Sequence, residues 1–234
     1  LPYGNTIIAA PCSPNVGVAA FDMATGDIIW KTASLGGLNY SSPVLTTIAG
    51  VEQVLMMTGK GAVSGIDVTS GKVLWTYSGW ECNIPITSPA PIGDGRVFIS
   101  GEYGAGSAMI KVTAADGTFS AEELYKTQVC GSQIHPPLLQ NGYLYMNSNG
   151  NSRRDGFICI DLDGTVKWKT GDAPNFERGP VLLADGMIYS VNGNDGTLML
   201  FEANPEAFKM LASAPILQGK QVWAPMALAR GHLV

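Results

Sequence analysis

The sequence predicts an all-β chain, a β-propeller built from repeated four-stranded antiparallel blades. Three observations predict it. The 234 residues include 29 glycines and 14 prolines, with only 14% charged and 46% hydrophobic residues. That balance favours short strands joined by tight turns and excludes a coiled coil, a helical bundle or a disordered tail. The segment Phe21-Asp22-Met23-Ala24-Thr25-Gly26-Asp27-Ile28-Ile29-Trp30 recurs as Ile66-Asp67-Val68-Thr69-Ser70-Gly71-Lys72-Val73-Leu74-Trp75. It returns one residue shorter as Ile160-Asp161-Leu162-Asp163-Gly164-Thr165-Val166-Lys167-Trp168. Finally, a proline opening an apolar run follows 12 to 14 residues after each repeat, at Pro43, Pro89, Pro137, Pro180 and Pro225.

Taken in chain order, each unit reads as four strands. The Pro-led strand comes first. A turn such as Asp94-Gly95, Asn141-Gly142 or Asp185-Gly186 leads into the second, because these pairs supply the positive φ that tight hairpins need. The third ends at Asp22, Asp67 or Asp161, whose carboxylate is expected to cap turn amides while Gly26, Gly71 or Gly164 takes the left-handed conformation. The fourth carries Trp30, Trp75 or Trp168, read as packing residues between neighbouring blades. Weaker copies end at Tyr125-Lys126-Thr127 and near Met210-Leu211. Four strands in roughly 43 to 50 residues make one blade, and blades bury their faces only by stacking on neighbours. The expected division is a partial blade over 1–35, blades over about 38–80, 84–130, 133–172 and 176–214, and a partial blade over 221–234, all in one domain. Because both ends fall within strand-like stretches, the chain is expected to be a fragment of a longer protein.

These residues resemble the tryptophan-docking repeat of quinoprotein-type propellers: Ile-Asp-x-x-(Thr/Ser)-Gly-x-x-x-Trp, then Ser-Pro-Val, then Asp-Gly-x-Val-Tyr. The resemblance spans essentially the whole chain. The family includes PQQ-dependent alcohol dehydrogenases, an outer-membrane-assembly lipoprotein with the same blades, and bacterial PQQ-like repeat proteins of unassigned role. It implies a ring of seven or eight blades, of which this chain would supply about five, although a closed five-blade ring is the formal alternative. It also implies a periplasmic or extracellular location in a bacterium.

Superposing the repeats places Ser41, Thr87, His135, Arg178 and Trp223 at one equivalent position, two before each strand-opening proline, with Glu177 beside Arg178. Such variety suits a ligand-binding ring at the mouth of a central channel, where His135 would be a base and Glu177 with Arg178 a clamp. The plainer alternative is that these side chains are simply solvated there. Cys82 and Cys130 fall at matching places in adjacent repeats, so a disulfide between them stays open, whereas Cys159 reads as a small core residue. With no Cys-x-x-Cys and only two histidines, a structural metal site is not expected. The glycine-rich stretch Gly101–Ser107 lacks the lysine of a phosphate-binding loop, and the Asn- and Asp-rich turns lack a calcium-loop pattern.

Three functions follow as expectations. The favoured one is a non-catalytic binding or scaffolding module that takes a protein, peptide or glycan at the channel mouth. The alternative is a periplasmic alcohol or sugar dehydrogenase with PQQ and Ca²⁺ on the axis. Against it, the vicinal cysteine pair that the resemblance implies for such enzymes is absent, although Trp80, Glu81, Cys82 and Asn83 form a suggestive cluster. A third is a docking platform along the blade edges. The net charge of −5 argues against a nucleic-acid or anionic-membrane surface, and no apolar run is long enough to span a bilayer.

Overall fold

The computed structural model describes residues 1–37 and 39–234. Leu38, the expected start of the second blade, lies outside them. Among the described residues there is no helix, and the strands form five four-stranded antiparallel sheets and one two-stranded sheet.

The first sheet holds β1 (Pro2–Tyr3), β2 (Thr6–Ala9), β3 (Ala19–Asp22) and β4 (Ile28–Lys31). The first repeat was expected to be a partial blade over 1–35. Pro2–Tyr3 supplies one, pairing with Ile7 and Thr6. The second sheet holds β5 (Val44–Ile48), β6 (Val51–Thr58), β7 (Ala62–Asp67) and β8 (Val73–Tyr77). The third holds β9 (Ala90–Gly93), β10 (Arg96–Gly101), β11 (Gly106–Ala115) and β12 (Thr118–Thr127). The fourth holds β13 (Leu138–Gln140), β14 (Tyr143–Asn149), β15 (Arg154–Asp161) and β16 (Val166–Lys169). The fifth holds β17 (Val181–Ala184), β18 (Met187–Val191), β19 (Thr197–Glu202) and β20 (Met210–Pro215). The last pair is β21 (Leu228–Ala229) with β22 (His232–Leu233). In every four-stranded sheet the strands lie in chain order, so each strand pairs with its neighbour in sequence.

The turn chemistry is local and repeats. The Asp22 carboxylate accepts from the amides of Ala24 and Thr25, at 2.9 and 2.8 Å, and Gly26 at φ +78° returns its amide to the Asp22 carbonyl. Asp67 does the same with Thr69 and Ser70, and Asp161 with Asp163 and Thr165. These contacts satisfy amides that the hairpin leaves unpaired, and they hold the Asp22 and Asp67 carboxyls below the ordinary range. Central strands such as β6 and β10 are buried on both faces, and the fourth strands are more exposed.

Two compact units divide the chain: Leu1–Gly101 with Ser107–Lys126, and Glu102–Gly106 with Thr127–Val234. In the first, Ile8, Val18, Ala20, Val54, Met56, Ile66 and Val68 pack around Trp30 between the first two sheets. The Trp30 indole N–H donates to the Val68 carbonyl at 3.0 Å, and its ring lies against Gly71, where a Cβ would come within 2.5 Å. Trp75 turns inward instead and donates to Gln53 Oε1 of its own sheet at 2.7 Å. In the second unit Phe157, Phe176 and Phe201 meet at 4.9 to 5.5 Å, with Phe208 beside them, and Trp168 donates to the Asn204 carbonyl at 2.8 Å. Edge-on and tilted ring pairs at these distances add to the area they bury.

Candidate functional site

The candidate residues of the first unit are used internally. Ser41 is buried, and its hydroxyl donates to the Met57 carbonyl; the Thr87 hydroxyl, also buried, donates to the Ser100 carbonyl. Both therefore fasten a Pro-led strand to the second strand of its own sheet. Trp80 and Cys82 are buried, both against Gly101, whereas Glu81 and Asn83 are exposed. All four cysteines are buried. Burial pushes the Cys159 thiol up to about 11, in keeping with a core role.

In the second unit the structure brings Glu177, Arg178 and Trp223 together. Glu177 has a positive φ of 48°, a conformation that costs a side-chain-bearing residue energy and is held here by its bonds. One carboxylate oxygen, Oε1, accepts from Arg178 Nε at 2.6 Å. The other, Oε2, accepts from the Trp223 indole N–H at 2.9 Å and from the Arg178 amide. The guanidinium then lies over the Trp223 ring, 4.5 Å from its centroid, and donates to Asn151 Oδ1 at 3.0 Å. Gly193 leaves room for this, because a Cβ there would come 2.7 Å from Glu177 Oε2. The three side chains form one rigid clamp of carboxylate, cation and aromatic ring.

Beside the clamp lies a polar cleft of about 130 Å³, formed by the β14–β15 turn and the connection from β16 to β17. Asn149, Asn151, Arg154, Asp172, Asn175 and Arg178 line it. Sequence reasoning missed the residue that braces the β14–β15 turn. Glu102 is 2% exposed, and its carboxylate accepts from the Ser152 amide at 2.6 Å, from the Ser152 hydroxyl and from its neighbour Tyr103. Burial raises its pKa, but the bonds from Ser152, Tyr103 and Asn151 outweigh that and hold the carboxyl below its ordinary value. Gly150 sits so close to the Glu102 side chain that no Cβ fits. Glu102 lies in the glycine-rich stretch that fails as a phosphate loop, and an acidic residue among those glycines was the only available signal.

His135 is 8% exposed, and burial lowers its pKa to about 4, with the Trp223 backbone opposing the shift. It is neutral at pH 7, and its Nε2 has no partner among the described residues.

Among the described residues no three His, Cys, Asp or Glu side chains converge as a metal site would require. No helix among the described residues is long and apolar enough to cross a membrane.

By sequence, no curated protein matches the chain. Among solved structures, BamB from Moraxella catarrhalis is similar at 15% identity and a TM-score of 0.51, over 94% of this chain and 78% of that one. Quinohemoprotein alcohol dehydrogenase from Comamonas testosteroni is similar at 14% identity and a TM-score of 0.63, over 91% of this chain but 42% of the enzyme. The periplasmic gluconolactonase PpgL of Pseudomonas aeruginosa is similar at 13% identity and 0.58, over 91% and 68%. These likenesses show the fold, the four-stranded blades of a β-propeller. The family model described as outer membrane protein assembly factor BamB matches residues 2–170, well over half of the sequence. On that match the chain belongs to the PQQ-like repeat family of the outer membrane protein assembly factor BamB.

Proposed function

We propose that this chain is a non-catalytic binding module that engages a protein partner through the face of its second unit carrying Glu177, Arg178 and Trp223. The observation that carries the reading is the clamp itself. An aromatic ring, a guanidinium and a carboxylate are fixed against one another beside an open polar cleft, and the neighbouring histidine is buried and neutral. Arg and Trp in fixed, partly desolvated positions are what binding hot spots are made of. Family membership supports a protein partner in outer-membrane assembly, and hence a periplasmic setting, over a peptide or glycan. The dehydrogenase neighbours share the blades, but the vicinal cysteine pair that the resemblance implies for such enzymes is absent from this sequence.

Site-specific photo-crosslinking in cells tests this. A crosslinker at exposed Asn151 should capture one defined outer-membrane assembly protein, and one at exposed Asp116 in the first unit should not. Crosslinking at Asp116 alone would move the contact to the other unit and overturn the assignment. Stoichiometric binding of PQQ that is lost without Ca²⁺ would instead promote the dehydrogenase reading.

A further inference from the structure

The polar cleft beside the clamp has an uneven distribution of unused hydrogen-bonding capacity. Three arginines line it, and two are already committed. Arg153 pairs with Asp155 at 2.7 Å and donates to the Gln128 carbonyl, while Arg178 is held by Glu177 and Asn151. Arg154 is exposed, and among the described residues its guanidinium has neither an ion pair nor a hydrogen bond. Asp172, also in the lining, is exposed and has no ion pair or hydrogen bond among the described residues. The lining side chains comprise three cations and two carboxylates, so the cleft leans positive on a chain whose net charge is −5. Asn149 is spent on Asn147 and the Gly156 amide, whereas Asn175 uses its carbonyl oxygen on the Glu177 amide and keeps its NH₂ for a ligand. The free groups are therefore mostly donors: the Arg154 fork, the Asn175 amide and the second terminal nitrogen of Arg178. Donors in that number suit an acceptor-only group with two oxygens.

We infer that the cleft receives a carboxylate presented by the partner, bound chiefly by Arg154 with Arg178 and Asn175 alongside. This rests on the reading that this face binds a protein. A cavity of about 130 Å³ admits one such group rather than a folded element. Two sources share the chemistry: an acidic side chain, or the carboxylate at a chain terminus. The Glu102 bonds to Ser152 keep the β14–β15 turn, and with it the start of β15 at Arg154, in place before the ligand arrives. Asp172 opposes an incoming carboxylate and sets a ceiling on affinity.

Three peptides titrated calorimetrically into the whole chain test the inference. One is Glu-Ser-Glu-Ser blocked at both ends, one is Gln-Ser-Gln-Ser with a free C-terminal acid, and one is the same neutral peptide amidated. At least one of the first two should bind, with the amidated neutral peptide at least about tenfold weaker, and the better binder identifies the source. Arg154→Ala should weaken the acidic peptide about tenfold, the loss expected for one charge-assisted contact. Asp172→Asn should strengthen it a few-fold. Both side chains are exposed, so neither change is expected to disturb folding, which circular dichroism would verify. Equal binding of the amidated neutral peptide, no change with Arg154→Ala, or no binding of either acid up to about 10 mM would overturn the inference. If crosslinking at Asn151 still captured the partner in any of those cases, the binding-module reading would stand and the carboxylate alone would fall.

Discussion

Glu102 and His135 show what burial does to two titratable side chains a short distance apart in sequence but opposite in their use of hydrogen bonds. Glu102 is charged and paired with donors on every side, so Glu102→Gln presents an NH₂ group to the Ser152 donors. The expected cost is about 2 kcal/mol, the range for a hydrogen bond to a charged group, with faster proteolysis at the 150–153 turn. Urea unfolding measures the first and limited proteolysis the second; an unchanged midpoint would show that the turn holds without the carboxylate. The sign of its pH dependence follows from the lowered native pKa. Its contribution is complete above the unfolded-state value and is lost as pH falls through the native one. His135 is also lowered, from 6.5 to about 4, but as a base. Below about pH 6.5 the unfolded chain takes up a proton that the native chain refuses, so stability falls progressively down to about pH 4. The full span is worth on the order of 3 kcal/mol. Replacing the imidazole by His135→Gln should flatten the urea-midpoint profile between pH 7 and 4.5 relative to the unaltered chain. A slope identical in both would mean that other groups carry it.

At the scale of the element, the hairpin after the third strand and the tryptophan on the fourth work as a pair across neighbouring sheets. The Asp67 turn brings Gly71 and the Val68 carbonyl to the place where Trp30 lands, and Gly71 is needed twice, for its φ of +73° and for the ring that covers it. Trp30→Ala removes both the packing and the bond, and about 3–5 kcal/mol is expected from truncating a buried tryptophan. A loss under 1 kcal/mol in chemical denaturation would mean that the sheets close over the gap. Trp75 occupies the same place in its repeat and makes a different contact, reaching Gln53 within its own sheet. Equivalent sequence positions thus share a place on the fourth strand without sharing a partner. The fourth strands also differ in how they meet solvent. β12 carries Glu122, Glu123 and Lys126 and β16 carries Lys167 and Lys169, charges that discourage strand addition at an edge, whereas β20 has none and is exposed throughout.

Over the whole molecule, strands and turns were legible in sequence because their causes are local: alternating apolar residues, an Asp that caps its own turn, a Gly at the position of positive φ. β1 escaped notice because two residues carry no period. The clamp was legible only as equivalent places in a repeat; that Glu177 reaches Trp223, 46 residues away, depends on how the intervening sheet folds back. Glu102 was silent for the same reason, since Ser152 lies 50 residues on. Composition speaks most directly about solution behaviour. With a pI near 5.0 and few charges overall, the molecule loses its net charge, and with it long-range repulsion, at about pH 5. The second unit exposes Leu211, Ile216, Leu217, Leu228 and Val234, and Ile216 and Leu217 line an apolar hollow with Val222 and Met226. Contacts between such surfaces survive when repulsion is gone. Light scattering should therefore show concentration-dependent association at pH 5 that is weak at pH 7.5. Leu217→Ser, which leaves the charge untouched, should reduce it. If 0.5 M salt abolished the association and Leu217→Ser did not alter it, its origin would be attraction between unlike charges on neighbouring molecules and not the apolar surface, because added salt screens the first and strengthens the second.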